Sequence, residues 1–171
     1  MSEFTTIASV RCRRSDPRDQ AALSACLRDP ALQRALFGTT LRADERERYV
    51  IDMTRRDGWD TYRVAGFVAT VGDDERIAGA ACVHDGYLSF FVVEPHRGRG
   101  IAGTLLGHVA STLSTWGAER LVACVEPGNT ASRRVLERLG FRELERAPFT
   151  TARGAAPRSL VVYAKALKGR S

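Results

Sequence analysis

The chain has 171 residues, 44% of them hydrophobic and 27% charged, with a net charge of +6. Those proportions suit one globular domain and exclude wholesale disorder, and a domain of this length buries roughly two thirds of its unfolded surface without a disulfide or metal staple. The positive charge fits general solubility, an acidic small molecule or a nucleic acid, but interleaving as in Asp44-Glu45-Arg46-Glu47-Arg48 argues against the last.

In chain order, residues 4–14 alternate apolar and polar and predict a first strand. Asp16-Pro17 starts a helix, the Asp capping free amides and the Pro fitting the first turn. That helix runs through Leu23 and Leu27 to Asp29-Pro30. A second covers Ala31 to Phe37, and a third begins near Asp44 and ends before Gly58. The period then changes. Tyr62 to Val71 reads as a strand, 72–75 as a turn, and Ile77 to Val83 as the returning strand. Asp85-Gly86 marks a tight turn into Leu88 to Val93, an apolar run typical of a central strand. Ile101 to Trp116 is an amphipathic helix with Leu105, Leu106, Val109 and Leu113 on one face. Leu121 to Val125 is a strand. Asn129 caps a helix that Gly140 ends in the left-handed position, with Phe141 as the apolar contact. Ala147 to Arg158 reads as a long loop before a final strand, Ser159 to Ala166.

The four cysteines, Cys12, Cys26, Cys82 and Cys124, form no C-x-x-C pair, so neither a metal site nor a disulfide framework is expected. The first ten residues lack the pattern of a signal peptide, and no run approaches 18 apolar residues. The expectation is a cytoplasmic protein without a membrane partner.

The informative stretch is Arg97-Gly98-Arg99-Gly100-Ile101-Ala102-Gly103-Thr104. It follows an apolar strand and opens a helix. Glycines there leave amides uncovered, the helix start adds about half a positive charge, and two arginines add full ones. A diphosphate suits such a site, although a Gly-rich loop also occurs without a ligand. No Gly-Lys-Ser/Thr follows, which excludes a P-loop. Gly98, Gly100 and Gly103 match the dinucleotide spacing, but they follow at least three strands, and no acidic residue caps a strand about 20 positions on, near Arg120 and Leu121.

Arg97-x-x-Gly100-x-Ala102 resembles the Arg/Gln-x-x-Gly-x-Gly/Ala signature of the GNAT superfamily of N-acetyltransferases. The run Asn129-Thr130-Ala131-Ser132-Arg133-Arg134-Val135-Leu136-Glu137-Arg138-Leu139-Gly140-Phe141 is similar to the block of the branch typified by ribosomal-protein alanine acetyltransferases. The resemblance covers residues 88–141 most strongly and implies one acetyltransferase domain over 1–171. The implied fold is α/β (α+β): a mixed, mostly antiparallel sheet of six or seven strands, splayed at its middle and flanked by about four helices.

The resemblance further implies acetyl-coenzyme A as co-substrate, with no metal. The amides from Gly98 to Thr104, including Arg99, Gly100, Ile101, Ala102 and Gly103, would hold the diphosphate beside Arg97. The main chain near Phe91, Val92 and Val93 would pair with the pantetheine arm, and Asn129 would bond to it. Glu126 is the favoured base, ahead of Glu94, Asp85 and His84, and Ser132 the favoured proton donor, because Leu136 stands where many members carry a tyrosine. Glu126 reads equally as a strand-end carboxylate and Ser132 as part of the helix cap. Arg133 and Arg134 either reach the adenosine phosphates or face solvent. The acceptor would be a small-molecule amine or a peptide N-terminus, bounded by Phe37 to Arg42, Ala147 to Arg158, Trp59, Tyr62 and Tyr87, with Arg146, Arg153 and Arg158 suiting an acidic group. A homodimer is allowed. The alternatives are a non-catalytic acyl-coenzyme A sensor on the same fold and a basic nucleic-acid-binding protein.

Overall fold

The computed structural model describes residues 9–149 and 158–167. Asp16 caps as expected, accepting from the Arg18 amide, with Pro17 at the first position of a 3-10 turn. The helices α1 (Gln20–Cys26), α2 (Pro30–Phe37) and α3 (Ala43–Thr54) follow. Gly38, at φ 76°, ends α2 in the left-handed region.

The strands β1 (Arg11–Arg14), β2 (Val64–Val71), β3 (Arg76–His84) and β4 (Tyr87–Val92) form an antiparallel set. Asp85 and Gly86, at φ 51° and 86°, make the expected two-residue turn between β3 and β4. The chain then crosses through α5 (Ile101–Thr115) to β5 (Arg120–Val125), and α6 (Thr130–Arg138) leads to β6 (Arg142–Phe149) and β7 (Arg158–Ala166). The seven strands lie in the order β1-β2-β3-β4-β5-β7-β6, with β4 and β5 the one parallel pair.

Two cores flank this sheet. Ile101, Leu105, Leu106, Val109 and Leu113 of α5, with Leu136 of α6, pack on one face against Phe67, Ala81, Leu121 and Tyr163. Leu23, Leu27, Phe37, Val50 and Met53 of α1–α3 pack on the other against Val68, Ala80, Cys82 and Phe91. The splayed mixed sheet with helices on it is the fold expected.

Three expectations need correction. The first strand covers only Arg11–Arg14 among described residues, and residues 4–8 lie outside them. The strand expected from Tyr62 begins at Val64, because Gly58–Tyr62 forms one more helical turn, α4, ended by Arg63 at φ 53°. The expected loop from Ala147 is in part strand, since β6 runs through Phe149; residues 150–157 are not described. β6 is an edge strand with exposed Arg142, Glu143, Glu145 and Arg146, and a bulge between Glu143 and Glu145 breaks its alternation. Charge, a bulge and a proline are how edge strands avoid pairing with other chains, and they erase the apolar period that identifies a strand.

Gly66 sets how closely α3 approaches the sheet. The Ser15 hydroxyl donates to the Met53 carbonyl at 2.6 Å, and a Cβ on Gly66 would be driven into both groups. Gly66→Ala is therefore expected to destabilise the fold by about 2–3 kcal/mol, the usual range for overpacking, as measured by urea unfolding.

Candidate active site

β4 is tied along one edge to β3, from Gly79↔Val92 to His84↔Tyr87. Its other edge pairs with β5 only at Tyr87↔Val122 and Leu88↔Ala123. Beyond Leu88 the two strands part. Which main-chain groups face the opening follows from antiparallel alternation. The Val93 amide donates to the Ala78 carbonyl at 2.8 Å, so Val93, Phe91 and Ser89 turn their amides and carbonyls to β3. Phe90 and Val92 turn theirs to the gap. This corrects the expectation for Phe91 and Val93: Val93 also has its carbonyl taken, by the His96 amide at 2.9 Å. A slip of one residue exchanges every such group, and an apolar run such as Leu88 to Val93 does not reveal its own register. On the far side, the Leu167 amide to Glu119 carbonyl bond sets the alternation that turns the Cys124 main chain toward β4.

The glycine loop lies at the open end of this gap. A 3-10 turn, Glu94–His96, leads from β4 into Arg97, whose Nε donates to the Val92 carbonyl at 3.1 Å. Gly98 and Gly100 stand at φ 73° and 75°, a conformation that favours glycine, and they alternate with Arg97 and Arg99 along the loop. Gly100 is the N-cap of α5 and has no side chain to satisfy the helix start. The Thr104 amide already donates to the Gly100 carbonyl at 3.1 Å, and its hydroxyl to the same oxygen at 3.3 Å. Thr104 is thus withdrawn from the expected donor set. Ile101, Ala102 and Gly103 keep the first-turn amides that have no intrahelical acceptor. A Cβ at Gly98, Gly100 or Gly103 would meet nothing within 4 Å, so an anion can approach that surface closely.

Asn129 caps α6, its Oδ1 accepting from the Ser132 amide at 3.2 Å. The amide nitrogen of Asn129 stays available as a donor, so cap and ligand contact are compatible. Ser132 is half-buried in the first turn of α6. Gly140, at φ 83°, ends α6 as expected: its amide donates to Glu137 and that of Phe141 to Leu136, both at 3.0 Å. Leu136 is fully buried in the α5–α6 core, away from solvent.

Arg133 is half-buried and is held by neighbouring groups. Its Nε donates to the Tyr163 hydroxyl at 3.0 Å and its terminal nitrogen to the Pro127 carbonyl at 3.2 Å. Tyr163, fully buried on β7, donates in turn to Glu137 at 2.9 Å. Burial, and secondarily Glu137, pushes the Tyr163 phenol above its ordinary value, while Arg133 pulls the other way. This clamp fixes the segment that presents Asn129 and Ser132, and its spacing of 30 residues leaves no local signal in the sequence.

Glu126 lies exposed just past β5, at the mouth of the gap. Glu94 is also exposed at that end, whereas His84 and Asp85 sit at the closed end, by the β3–β4 turn, too far along the strand to serve as a base. Trp59 is buried in the α5–α6 core beside Trp116, 5.9 Å between ring centroids, on the opposite face of the sheet from α1–α3. Tyr62 lies under the Arg55 guanidinium at 3.8 Å. Phe37 meets Tyr49 of α3 edge-on at 4.9 Å, and the Tyr49 hydroxyl lies 3.0 Å from that of Ser89, where the gap begins. That last pair was missed by sequence reasoning. Arg146 pairs with Glu143 at 3.4 Å rather than facing an acceptor; Arg153 and the Arg158 side chain lie outside the described residues. Among the described residues no cluster of His, Cys, Asp and Glu could hold a metal ion, and no helix is long and apolar enough to cross a membrane.

The clamp is testable. Tyr163→Phe removes both hydrogen bonds of the hydroxyl, and the expected loss is about 1–2 kcal/mol in urea unfolding, because Glu137 is left able to turn to solvent. An unchanged midpoint would show that the clamp contributes nothing.

Comparison with known proteins agrees with the fold. No curated protein matches the chain in sequence. Spermidine N-acetyltransferase from Vibrio cholerae, solved with CoA and spermine, superposes with a TM-score of 0.74 at 11% identity, over 92% of this chain and 95% of that one. Ribosomal-protein-S5-alanine acetyltransferase from Vibrio fischeri gives 0.75 at 14%, over 93% of each chain. RimJ from Mycobacterium smegmatis, in complex with CoA-disulfide, gives 0.72 at 22%, over 92% and 81%. At these identities the likeness is one of fold. The sequence pattern described as the acetyltransferase (GNAT) family matches residues 30–141, well over half the chain. The chain therefore belongs to the acetyltransferase (GNAT) family.

Proposed function

We propose that the protein moves an acetyl group from acetyl-coenzyme A to a primary amine, on a small molecule or at a protein N-terminus. The observation that carries this reading is the continuity of two features. The open edge of β4, at Phe90 and Val92, leads directly into the left-handed glycines at 98 and 100 and the bare start of α5. One binds an extended chain of amides and the other a diphosphate, and a coenzyme A molecule has both. The family match supports the chemistry, and one similar protein was solved with CoA and an amine. Acetyl-coenzyme A supplies an activated thioester.

In this reading Arg99 and the amides of Gly98 and Gly100 through Gly103 neutralise the diphosphate. The Phe90 and Val92 main chains align the pantetheine arm, and an amide of that edge polarises the carbonyl that the amine attacks. Asn129 donates to the same arm. The amine attacks only with a free lone pair, so Glu126, at the mouth of the gap, takes the proton that the nitrogen sheds. Ser132 gives its hydroxyl hydrogen to the departing sulfur and regains one from water, while Glu126 releases its proton to solvent. Most of the remaining advantage comes from holding both reactants in one cleft. A second reading, an acyl-coenzyme A sensor without catalysis, is favoured by one observation: buried Leu136 leaves α6 without a phenol at that position. Release of free thiol on mixing acetyl-coenzyme A with an amine panel separates the two, since a sensor releases none.

Gly103 offers a clean test of the donor site. It lies inside α5 at an ordinary φ with open space around it, so Gly103→Glu should fold at least as stably as wild type. Its carboxylate would face the diphosphate, and the thermal shift on adding coenzyme A should disappear. A folded variant that shifts like wild type would remove the diphosphate from this loop. Glu126→Gln is expected to lower kcat by a factor of about 100 with acetyl-coenzyme A affinity unchanged, the usual loss for a missing general base. Unaltered turnover would assign the proton to solvent.

A further inference from the structure

We infer that Ser89, with its hydroxyl oriented by Tyr49, is the residue that receives the acceptor amine, an assignment that rests on the acetyltransfer reading above. Ser89 is the first residue of β4 beyond the last pairing with β5, and it immediately precedes Phe90, whose main chain faces the gap. Its side chain, like that of Phe91, is on the α1–α3 face, where Tyr49 meets it at 3.0 Å. Leu88, Phe90 and Val92 point their side chains to the α5 face. The donor arm along the β4 edge and an amine arriving from the α1–α3 side therefore meet at this residue.

The order of protons makes the Ser89 oxygen an acceptor. Burial pushes the Cys82 thiol up to about 12, so it keeps its proton beside this pair. Burial likewise keeps the Tyr49 phenol neutral, well above its ordinary value. Either hydroxyl can donate across the Tyr49–Ser89 pair, and Tyr49 is the donor where Ser89 turns its own hydrogen elsewhere. The Ser89 hydroxyl points its own hydrogen at the Cys82 carbonyl, 3.5 Å away. A hydroxyl has one donor and two acceptor positions, so one lone pair remains. That lone pair selects an N–H donor. Phe37, edge-on to the Tyr49 ring, limits how far the phenol can swing. Ser89 and Tyr49 are both half-buried. Neither group changes charge in ordinary buffers, so the pair positions the amine, and the proton leaves by another residue.

The test compares wild type, Ser89→Ala, Ser89→Thr and Tyr49→Phe. It measures acetyl-coenzyme A affinity by calorimetry, and coenzyme A release with spermine and with an alanine-terminated peptide as acceptors. All four proteins should bind acetyl-coenzyme A within about twofold. Ser89→Ala should raise the KM of the better acceptor about tenfold with kcat within threefold, as expected for one lost hydrogen bond in the ground state. Ser89→Thr, which keeps the hydroxyl and adds a methyl, should recover most of that loss; a packing role would make it worse. Tyr49→Phe should cost about threefold, because the hydroxyl remains but turns freely. An unchanged acceptor KM in Ser89→Ala overturns the assignment, as does a parallel loss of donor affinity. If wild type binds acetyl-coenzyme A yet releases no coenzyme A with either amine, the assignment falls while the donor site stands. If it does not bind acetyl-coenzyme A, the acetyltransfer reading falls first.

Discussion

Two neighbouring strands that stop pairing after two residues govern the rest of this molecule. β4 and β5 are each held along the outer edge by an antiparallel partner, β3 and β7, and touch each other only at Tyr87 and Leu88. Main-chain groups in the middle of a sheet normally have partners, and leaving one buried without any costs about 1–3 kcal/mol. Arg97 meets the Val92 carbonyl, and the main-chain groups left open beside Phe90 are stable only if water or a ligand fills the gap. A ligand that offers alternating donors and acceptors along an extended chain completes the sheet there. The place where the fold is incomplete is the place the proposed function assigns to the donor.

The glycine loop depends on that same edge. Arg97 bonds back to the Val92 carbonyl, and the turn between them spans only Glu94–His96, so the loop cannot drift from the strand end. The left-handed glycines then aim their amides where the first turn of α5 aims its own. Ile101 immediately drops into the core with Leu105 and Leu106, which anchors the helix while its start stays bare. Rigid anchoring and an unsatisfied terminus would ordinarily conflict, because orphan amides destabilise a helix end. Packing along the next three turns offsets that cost.

What was legible in the sequence was what is local. Capping at Asp16 and Asn129, the left-handed stop at Gly140, the Asp85-Gly86 turn and the glycine loop each depend on residues a few positions apart, and each stands where the residues placed it. The family resemblance drew on the same local segments. What escaped was set by long-range contact. Whether Phe90 or Phe91 faces the gap depends on which residue of β3 lies opposite, and nothing within β4 encodes it. Arg133 looks like a solvated helix arginine until Tyr163 comes beside it. β6 carries charge where a strand usually carries apolar residues, because it is an edge. Tyr49 and Ser89 are 40 residues apart and unremarked by any pattern.

The alternation of one strand then divides the labour of the site. Along β4, main-chain groups of Phe90 and Val92 lie in the plane of the sheet and face the gap, while side chains leave it on either face. Phe90 and Val92 pack toward α5, under the helix that presents the glycine loop. Ser89, Phe91 and Val93 turn toward α1–α3, where Tyr49 and Phe37 lie. A transfer reaction needs its two substrates within bonding distance, neither displacing the other. One strand satisfies that requirement if its backbone holds the donor and its side chains on one face receive the acceptor. In the proposed reading the two would converge from perpendicular directions, at the point where pairing with β5 ends.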